Sequence, residues 1–322
     1  WVKPSVEFLE KYLKVNHYDV LVTTGPPHSL HLIGLNLKKK LPNLKWIADF
    51  RDPWTEISYY KHLKLTKIAD KKHRKLESEV FKNADITLAT SYTDAENFRK
   101  KGANAFCITN GFDVDASTTL SMTEENSKTL PLSNSTTKFT LSYIGVLEQL
   151  RNPEILWETL NDLVQENADF KNDFELKFVG KLDDKILQKI ESSPLKNNLT
   201  NLGYQTHDVA LKQMQDSSVL LMTNFPQEPS KGIIPGKIFE YLATGKTILS
   251  FGPKDADVEK ILNETKAGKH FGYNEKENLK KFILESYENW KSGTLNQNAE
   301  NIEQFSRKNL TQKLVDLMNK WF

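Results

Sequence analysis

The stretch from Gly232 to Lys246 reads GIIPGKIFEYLATGK, a loop with Gly and Pro followed by a predicted helix. Pro235 suits the first turn of that helix and Gly245 its end. Backbone N–H groups left free by such a loop, together with the helix dipole, favour a bound phosphate. Glu240, one turn into the helix, can accept two hydrogen bonds from a vicinal diol such as ribose. An ion pair between Glu240 and Lys237 on a solvated helix explains the same residues without any ligand.

A second stretch, LSYIGVLEQLRNP, ends a predicted strand at Gly145 and leads through Arg151 to a predicted helix start at Asn152 and Pro153. Ligands of open α/β sheets bind at the carboxyl ends of the strands. Arg151 can therefore clamp a pyrophosphate at this edge, and an ordinary surface arginine fits the same pattern.

Three segments in the first half of the chain also follow predicted strands. They contribute six candidate positions: Gly25 and His28 from GPPHS, Asp49, Arg51 and Asp52 from ADFRDPW, and Asn110 from ITNGFD. An Asn-Gly pair is typical of a tight turn, and a histidine after two prolines also suits a helix start. Two carboxylates and a guanidinium at a strand end indicate either an interdomain polar site or a structural ion pair.

Short β-rich runs that alternate with amphipathic helices must position these residues, and this alternation predicts parallel sheets covered on both faces. The helices include one over about Lys61–Lys82, one over Lys237–Thr244 and one over Arg307–Trp321. The predicted strands lie near Asp19–Thr24, Leu44–Phe50, Asp85–Ala89, Ala105–Thr109, Phe139–Ile144, Glu175–Val179, Leu199–Leu202, Ser218–Thr223, Thr247–Ser250 and Gly268–Phe271.

A run rich in Ser, Thr and Asn divides the chain into two domains. We predict an N-terminal domain over 1–112, a linker or surface excursion over 113–137, a C-terminal domain over 138–305, and a helix over 306–322 that packs back toward the N-terminal domain. The first half holds only four predicted strands and opens on a helix, whereas a doubly wound domain opens on a strand. We therefore expect its first strands, roughly 60–100 residues, to be missing from this sequence.

Composition excludes several classes of protein. The chain has 322 residues, of which 38% are hydrophobic and 27% charged, and its mean hydropathy is -0.55. These values are typical of a globular chain and exclude a disordered one, and no apolar run approaches the ~20 residues of a bilayer-spanning helix. The one cysteine, Cys107, excludes an internal disulfide and a cysteine zinc cluster, and suits a reducing, cytoplasmic compartment.

Basic residues are concentrated between Lys38 and Lys75, where twelve Lys and Arg face four acidic residues. Trp54, Tyr59 and Tyr60 lie in the same stretch. Lysines with aromatic residues can hold a protein on an anionic membrane surface, and a solvated lysine-rich helix face explains the same pattern. No recognition motif accompanies the charge, which argues against nucleic acid as a partner.

The order of these motifs along two α/β domains resembles the GT-B glycosyltransferases, and more narrowly glycosyltransferase family 4, the retaining nucleotide-sugar enzymes of bacterial surface-polysaccharide synthesis. The resemblance covers the chain from Asp19 onward and is strongest at Ala48–Trp54, Asn110–Asp113 and Pro235–Gly245. It implies two Rossmann-like doubly wound domains that face a cleft, a nucleotide diphosphate sugar as donor, and no metal or other cofactor.

The resemblance also implies roles for single residues. Glu240 matches the glutamate that binds the donor ribose, and Arg151 matches, within one position, the basic group on the diphosphate. Arg51 falls where many members carry a histidine that faces the transferred sugar. The remaining positions are the diphosphate-holding backbone of Ile233, Ile234, Pro235 and Gly236, the loop of Gly203 and Tyr204 at the nucleobase, Gly145 on the donor side, Lys237 on the leaving diphosphate, and Gly25, His28, Asp49, Asp52 and Asn110 on the sugar and acceptor side.

This chain departs from the family pattern in three places. Gly232 stands where the first glutamate of the family's pair is expected, Val146 stands where an arginine often follows the position of Gly145, and the Gly-rich acceptor loop is missing. The predicted function is transfer of a sugar, with retention of configuration, to a saccharide or lipid-linked acceptor. A nucleotide-sugar 2-epimerase on the same scaffold and a non-catalytic nucleotide-sugar-binding partner are the alternatives.

Overall fold

The computed structural model of the chain describes residues 1–57, 60–113, 138–297 and 299–322. These residues form two compact units. The N-terminal unit comprises Trp1–Asn110 together with Lys308–Phe322, and the C-terminal unit comprises Gly111–Arg307. Of the predicted linker 113–137, only Asp113 lies within the described residues. Tyr59, in the basic stretch, also lies outside them.

The N-terminal unit contains a four-stranded parallel sheet in the order β1-β2-β3-β4. All four strands lie where the alternation of strands and helices predicts them. The unit's elements are α1 (Val2–Val15), β1 (Val20–Gly25), α2 (Ser29–Lys40), β2 (Lys45–Phe50), α3 (Lys67–Asn83), β3 (Ile86–Ala89), α4 (Tyr92–Lys100), β4 (Ala105–Cys107) and nearly all of α12 (Arg307–Trp321).

Two predicted boundaries in this unit are wrong. Helix α3 begins at Lys67 and not at Lys61, because Lys64 takes a positive φ of 48° and Thr66 then caps the helix by accepting a hydrogen bond from the backbone N–H of Ala69 at 3.2 Å. Tyr60–Leu63 forms a separate 3-10 turn. Strand β4 ends at Cys107, two residues earlier than predicted. The spacing of the lysines does not reveal the break between the 3-10 turn and α3, because positive charge continues across it.

Helix α12 packs within the N-terminal unit. Leu314, Leu317 and Met318 contact the buried strand residues Ile47 and Ile86. The aromatic ring of Trp321 meets Phe106 edge-on at 5.7 Å. Partial burial of these apolar side chains stabilises the unit, so α12 contributes to the core that the N-terminal strands form.

The C-terminal unit contains a six-stranded parallel sheet in the order β7-β6-β5-β8-β9-β10. Numbered from its own first strand, this is the order 3-2-1-4-5-6 of the Rossmann fold. Its elements are β5 (Phe139–Ile144), α5 (Glu154–Glu166), α6 (Ala168–Asp173), β6 (Phe174–Val179), α7 (Asp184–Glu191), β7 (Leu199–Asn201), α8 (His207–Gln215), β8 (Val219–Thr223), α9 (Lys237–Ala243), β9 (Thr247–Phe251), α10 (Asp257–Thr265), β10 (Gly268–Phe271) and α11 (Lys276–Lys291).

The core of the C-terminal unit lies on both faces of this sheet. Every residue of β5 and of β8 is buried, as expected for central strands of a parallel sheet with helices on each side. Trp157 of α5 is fully buried, and its indole N–H donates to Asn152 Oδ1 at 2.7 Å, which satisfies the one polar atom of that side chain. The sheet is therefore a rigid base for the loops at its carboxyl edge.

Within the described residues, no helix combines the length and the apolar character that crossing a membrane requires. Among the same residues, no three His, Cys, Asp or Glu side chains are grouped in a way that could hold a metal ion.

Candidate functional site

The strand order of the C-terminal unit places a ligand crevice between β5 and β8. These two strands are neighbours in the sheet, and the chain leaves them toward opposite edges, β5 toward β6 and β8 toward β9. Open α/β sheets bind ligands at such a switch point, outside the carboxyl ends of the strands. The loops that follow Ile144 and Thr223 therefore border the candidate ligand site.

Glycine backbone forms one side of this edge. Gly145, Gly180 and Gly203 follow three adjacent strands and all have positive φ, of 117°, 127° and 63°. The N–H of Gly145 donates to Val179 O at 2.7 Å, and the N–H of Gly180 donates to Gly203 O at 2.7 Å. A Cβ on Gly180 would lie 2.1 Å from Gly145 O, whereas the absent Cβ atoms of Gly145 and Gly203 face open space. The row leaves room for a ligand against bare backbone.

Lys237 is the first residue of α9, and its ammonium group lies over the end of β5. Its Nζ is 4.0 Å from the centre of the Tyr143 ring and donates to Ile144 O at 3.4 Å. Burial, with a smaller effect from the nearby Arg151, lowers the pKa of Lys237 to about 7, although the Glu240 carboxylate acts in the opposite direction. A bound anion would reverse both effects, so this position favours a negatively charged group.

The alternative explanation of Glu240, an ion pair with Lys237, is wrong in this structure. No basic side chain lies within 4 Å of the Glu240 carboxylate in the part of the chain that the structure describes, and the residue is exposed. The Lys237 ammonium group lies over the Tyr143 ring instead, and this contact forms only when the unit is folded. The Glu240 carboxylate is left free to accept hydrogen bonds from a ligand.

Arg151 lies at the end of a 3-10 turn on the same edge. Its Nη2 donates to Val146 O at 3.1 Å and to Glu148 Oε2 at 3.3 Å, and its guanidinium lies 5.5 Å from the Phe225 ring centre. Its buried Nε–H has no hydrogen-bond partner among the described residues. Arg151 thus lies at the carboxyl edge of the sheet, and its Nε–H is without a hydrogen-bond partner among the described residues.

The loop before α9 supplies backbone donors. The helix begins at Lys237, as predicted, and the carbonyls of Pro235 and Gly236 accept the first turn's hydrogen bonds at 3.0 and 3.2 Å. The N–H groups of Ile234 and Gly236 have no partner within the described ranges. Asn224 Nδ2 donates to Ile233 O at 2.8 Å and holds this loop against the end of β8. Since α9 has only seven residues, side-chain charge and these N–H groups matter more here than a helix dipole.

Three residues at this edge were not found from the sequence. Tyr143, Asn224 and Tyr273 come from β5, from the end of β8 and from the loop after β10, and the hydroxyl of Tyr273 donates to Asn224 O. Each is ordinary in its own local sequence, and only the strand order brings them together. Tyr204, predicted at the nucleobase, follows β7 at the far end of the glycine row and is 90% exposed.

In the N-terminal unit, the predicted residues lie at the carboxyl ends of β1 and β2, except for Asn110, which follows β4. Gly25 pairs with Phe50 in the sheet register and Thr24 with Asp49. The Thr24 hydroxyl donates to Asp49 Oδ2 at 2.8 Å, and burial raises the pKa of the Asp49 carboxyl. Asp52 and Asn110 are exposed.

Arg51 is held by backbone and not by a carboxylate. Its N–H donates to Gly25 O at 3.1 Å and its Nη2 to Pro26 O at 3.3 Å. No acidic side chain lies within 4 Å of its guanidinium in the described part of the chain. The predicted structural ion pair is therefore not formed, and the ADFRDPW segment is held against GPPHS by hydrogen bonds to carbonyl groups.

His28 lies beside a second histidine, His31, that the sequence analysis missed. The His28 ring stacks on Trp54 at 5.4 Å, and burial lowers its pKa. His31 is fully buried against Phe50, which lowers its pKa to about 3. A Cβ on Gly25 would lie 2.8 Å from His31 Nε2 and 3.1 Å from His28 Nδ1, so only glycine fits there. The spacing of the two histidines across one helical turn was the available signal.

Comparison with known proteins finds similarity in structure only. No protein-family model matches the chain, and no curated protein matches it in sequence. Its fold is similar to that of HepE from Anabaena in complex with UDP-glucose, with a TM-score of 0.61, 15% identity, and coverage of 99% of this chain and 82% of that one.

Two further solved structures have the same fold. A glycosyltransferase from Rickettsia africae has a TM-score of 0.62 at 14% identity, covering 99% of this chain and 81% of that one. A putative UDP-N-acetylglucosamine 2-epimerase from Listeria monocytogenes has a TM-score of 0.53 at 14% identity, covering 99% and 78%. The chain thus has the two-domain Rossmann-like α/β fold of GT-B proteins, which confirms the predicted fold class. A fold of this kind hosts several activities.

Proposed function

We propose that this protein is a glycosyltransferase that takes a sugar from a nucleotide diphosphate donor bound at the carboxyl edge of the C-terminal sheet. The observation that carries the proposal is the pair of Lys237 and Arg151 at the Rossmann switch point, next to the free N–H groups of Ile234 and Gly236. Two phosphate groups match two cations and a set of backbone donors. The fold shared with HepE, whose structure holds UDP-glucose, supports this donor class.

Lys237 and Arg151 would act on the leaving group. As the bond from the sugar to the diphosphate breaks, negative charge accumulates on the diphosphate oxygens. Cations that are already in place and poorly hydrated stabilise that charge without having to reorganise. The depressed pKa of Lys237 reports how poorly solvated its ammonium is before the anion arrives.

Glu240 would orient the nucleoside. Its carboxylate is exposed, unpaired within the described residues, and one helical turn from Lys237. Two hydrogen bonds from the ribose hydroxyls would fix the nucleotide while the cations hold its phosphates. The glycine row at Gly145, Gly180 and Gly203 would let the donor lie directly against backbone.

In this proposal, residues of the N-terminal unit bind the transferred sugar and the acceptor. His28, Asp49, Arg51 and Asp52, with Gly25 and Asn110, are the positions that the family resemblance assigns to them. Transfer with retention, front-face chemistry without an obligatory enzymic base, independence from metal and a lipid-linked saccharide acceptor are likewise proposals from that resemblance. Burial raises the pKa of the Asp49 carboxyl and lowers the pKa of the His28 imidazole, so it favours the uncharged form of both side chains.

The similarity in fold to the putative epimerase favours nucleotide-sugar 2-epimerization as the second candidate function. An epimerase would interconvert hexosamine nucleotides without any acceptor, whereas a glycosyltransferase requires one. Incubation of the protein with UDP-N-acetylglucosamine alone, followed by analysis of the sugar, separates the two activities. A non-catalytic binding partner would bind the nucleotide sugar and leave it intact with every acceptor.

The membrane role of the basic stretch is also a proposal. Lys38, Lys39 and Lys40 are held in ion pairs with Asp85, Glu79 and Glu10. By contrast, the exposed lysines of a second group have no acidic partner within 4 Å among the described residues: Lys61, Lys64, Lys67, Lys71, Lys72 and Lys75. Anionic lipid headgroups would be attracted to this second group, which we call the free lysine face. A site on the inner face of the membrane would suit a lipid-linked acceptor.

The proposed donor site is tested by calorimetric titration of UDP, GDP and ADP into the parent protein and Glu240→Ala. Loss of a charge-assisted hydrogen bond costs about 1.5–3 kcal/mol, so the affinity of the nucleotide that binds should fall by a factor of about 10 or more. Glu264→Ala on α10, also exposed, is the matched control and should bind like the parent. Equal affinity in Glu240→Ala would remove the ribose role.

A further inference from the structure

A cavity of about 210 Å³ lies in the C-terminal unit at the opposite edge of the sheet from the proposed donor site. It opens beside Thr247 and Gly268, the first residues of β9 and β10. Its outer walls are one face of α11 and the loop after that helix. Since parallel strands all point the same way, this amino edge is separated from the carboxyl edge by the length of the sheet.

Hydrogen bonds hold the walls of this cavity in place. Asn296 Oδ1 accepts from the backbone N–H of Thr247 at 2.6 Å and from its hydroxyl at 2.7 Å. Lys266 pairs with Glu300 at 2.8 Å, and the N–H of Glu300 donates to Thr265 O at 2.7 Å. The loop is thereby held to the start of β9 and to the end of α10, and the side-chain amide N–H groups of Asn296 remain available.

Positive charge at this cavity exceeds negative charge. Lys246 and Lys269 line it, and neither has an acidic side chain within 4 Å among the residues that the structure describes. The one carboxylate in the lining, Glu285, lies 3.8 Å from Lys281. Burial lowers the pKa of Lys246, so its ammonium is poorly solvated and gains from an anionic partner.

The rest of the lining matches a small polar molecule with one apolar face. Ser286 and Asn289 of α11 offer a hydroxyl and an amide, and Phe282 and Leu295 offer apolar surface. The volume is below the ~300 Å³ at which sites for drug-sized ligands begin, so a nucleotide sugar is too large. A phosphate group on a single sugar ring has the charge, the hydroxyl groups and the size that these walls accept.

We propose that this cavity is a second binding site, specific for a small phosphate-bearing metabolite of the hexose phosphate type. The phosphate group lies between Lys246 and Lys269 and accepts from Asn296, and the sugar lies against α11. The site is independent of the donor site, since it shares no residue with it. Lys246 ends the GIIPGKIFEYLATGK stretch, and the proposed function leaves it without a role.

The test is calorimetric titration of glucose 6-phosphate, inorganic phosphate and glucose into the full chain. Glucose 6-phosphate should bind, and Lys246→Met and Lys269→Met should each weaken it at least about tenfold, the cost of a lost charge-assisted contact. The exposed Lys269 guards against a Lys246 variant that fails to fold. Lys254→Met, an exposed lysine outside the cavity, and Lys237→Met at the donor site should both bind like the parent.

Three outcomes would overturn the proposal. The first is no binding of glucose 6-phosphate at concentrations up to about 10 mM. The second is unchanged affinity in both cavity variants, or weaker binding only in Lys237→Met, which would place the phosphate at the donor site. The third is equal affinity for inorganic phosphate and glucose 6-phosphate, which would leave a phosphate ion as the ligand and remove the sugar.

Discussion

Lys237 combines two properties that conflict in a protein without a ligand, namely a positive charge and a buried position. Its ammonium group lies over the Tyr143 ring at 4.0 Å, and its pKa falls to about 7 from an ordinary value of 10.5. Between these two values the unfolded chain holds a proton that the folded chain has lost. The contribution of Lys237 to the free energy of unfolding therefore rises with pH from about 7 to 10.5.

This rise can be measured by comparison with Lys237→Met, which keeps the aliphatic stem. In urea unfolding at pH 7, 8, 9 and 10, the free energy of unfolding of the parent minus that of the variant should increase steadily. The same difference for Lys254→Met, an exposed lysine, should stay constant. If the difference in free energy of unfolding between the parent and Lys237→Met does not change with pH, the Lys237 ammonium is solvated. That result would contradict an anion site at Lys237.

Local sequence patterns indicate which residues lie at the carboxyl edge of the C-terminal sheet, but not which side chains they contact there. The motif around Glu240 and the spacing of Arg151 from Gly145 are visible in the sequence. The contact of Lys237 with Tyr143 joins residues 94 positions apart, and it replaces the ion pair with Glu240 that helical spacing favours. His31 of α2 was missed for a similar reason, since it is buried against Phe50, which comes from β2.

At the scale of elements, the carboxyl edge of the C-terminal sheet depends on close packing between β5 and β6. Gly180 has a φ of 127°, outside the left-handed helical region, and its absent Cβ would lie 2.1 Å from Gly145 O. Any side chain at this position meets both backbone strain and a collision with a carbonyl group that cannot move freely.

Gly180→Ala should therefore lower the free energy of unfolding by about 3 kcal/mol or more. Gly245→Ala is the matched control, because Gly245 also has a positive φ, of 66°, but nothing lies within 4 Å of its absent Cβ. Its cost should be about 1 kcal/mol. Urea unfolding of both variants gives the comparison, and equal costs would show that β5 and β6 tolerate separation at this edge.

The elements themselves were largely predictable, because the ten strands follow from short apolar runs between helices. Their order in the sheet was not, since β8 pairs with β5 across 75 residues or more. The start of α3 was also misplaced: positive charge continues from Lys61 through Lys75, but the positive φ of Lys64 and the cap at Thr66 divide it.

At the scale of the whole molecule, exposed lysines cluster on one helix of the N-terminal unit. The N-terminal unit carries the free lysine face, of which Lys67, Lys71, Lys72 and Lys75 lie within about 140° of the α3 circumference. Ile68 lies within the same arc and is 83% exposed. Lysines around an exposed apolar side chain suit an anionic lipid surface better than solvent alone.

Reversal of four lysines tests this membrane role. Changing Lys64, Lys67, Lys71 and Lys72 to Glu should abolish cosedimentation with vesicles that contain phosphatidylserine, since each basic residue contributes about 1 kcal/mol near such a surface. Reversal of four exposed lysines of the C-terminal unit, Lys185, Lys196, Lys212 and Lys254, is the control and should leave binding intact. Unchanged binding in the first variant would leave α3 as an ordinary solvated helix.

The two α/β units could be foreseen from the alternation of strands and helices, whereas the linker over 113–137 stays a prediction, since only Asp113 of it lies among the described residues. The class of fold could be foreseen as well, because motif order along the chain is a property of the sequence. The particular donor sugar and the acceptor could not be foreseen, since one fold at 15% identity or less hosts several activities.

The most direct measurement is a thermal-shift panel of UDP, GDP, ADP and CMP with the full chain. A ligand at 100 times its Kd stabilises the folded protein by about 2.7 kcal/mol, which raises the Tm of a unit of this size by about 5–10 °C. We expect a rise of this order with one nucleoside diphosphate, a further rise with one of its sugars, and none with CMP, which lacks the second phosphate. No shift with any diphosphate, or an equal shift with CMP, would contradict a diphosphate site at Lys237 and Arg151.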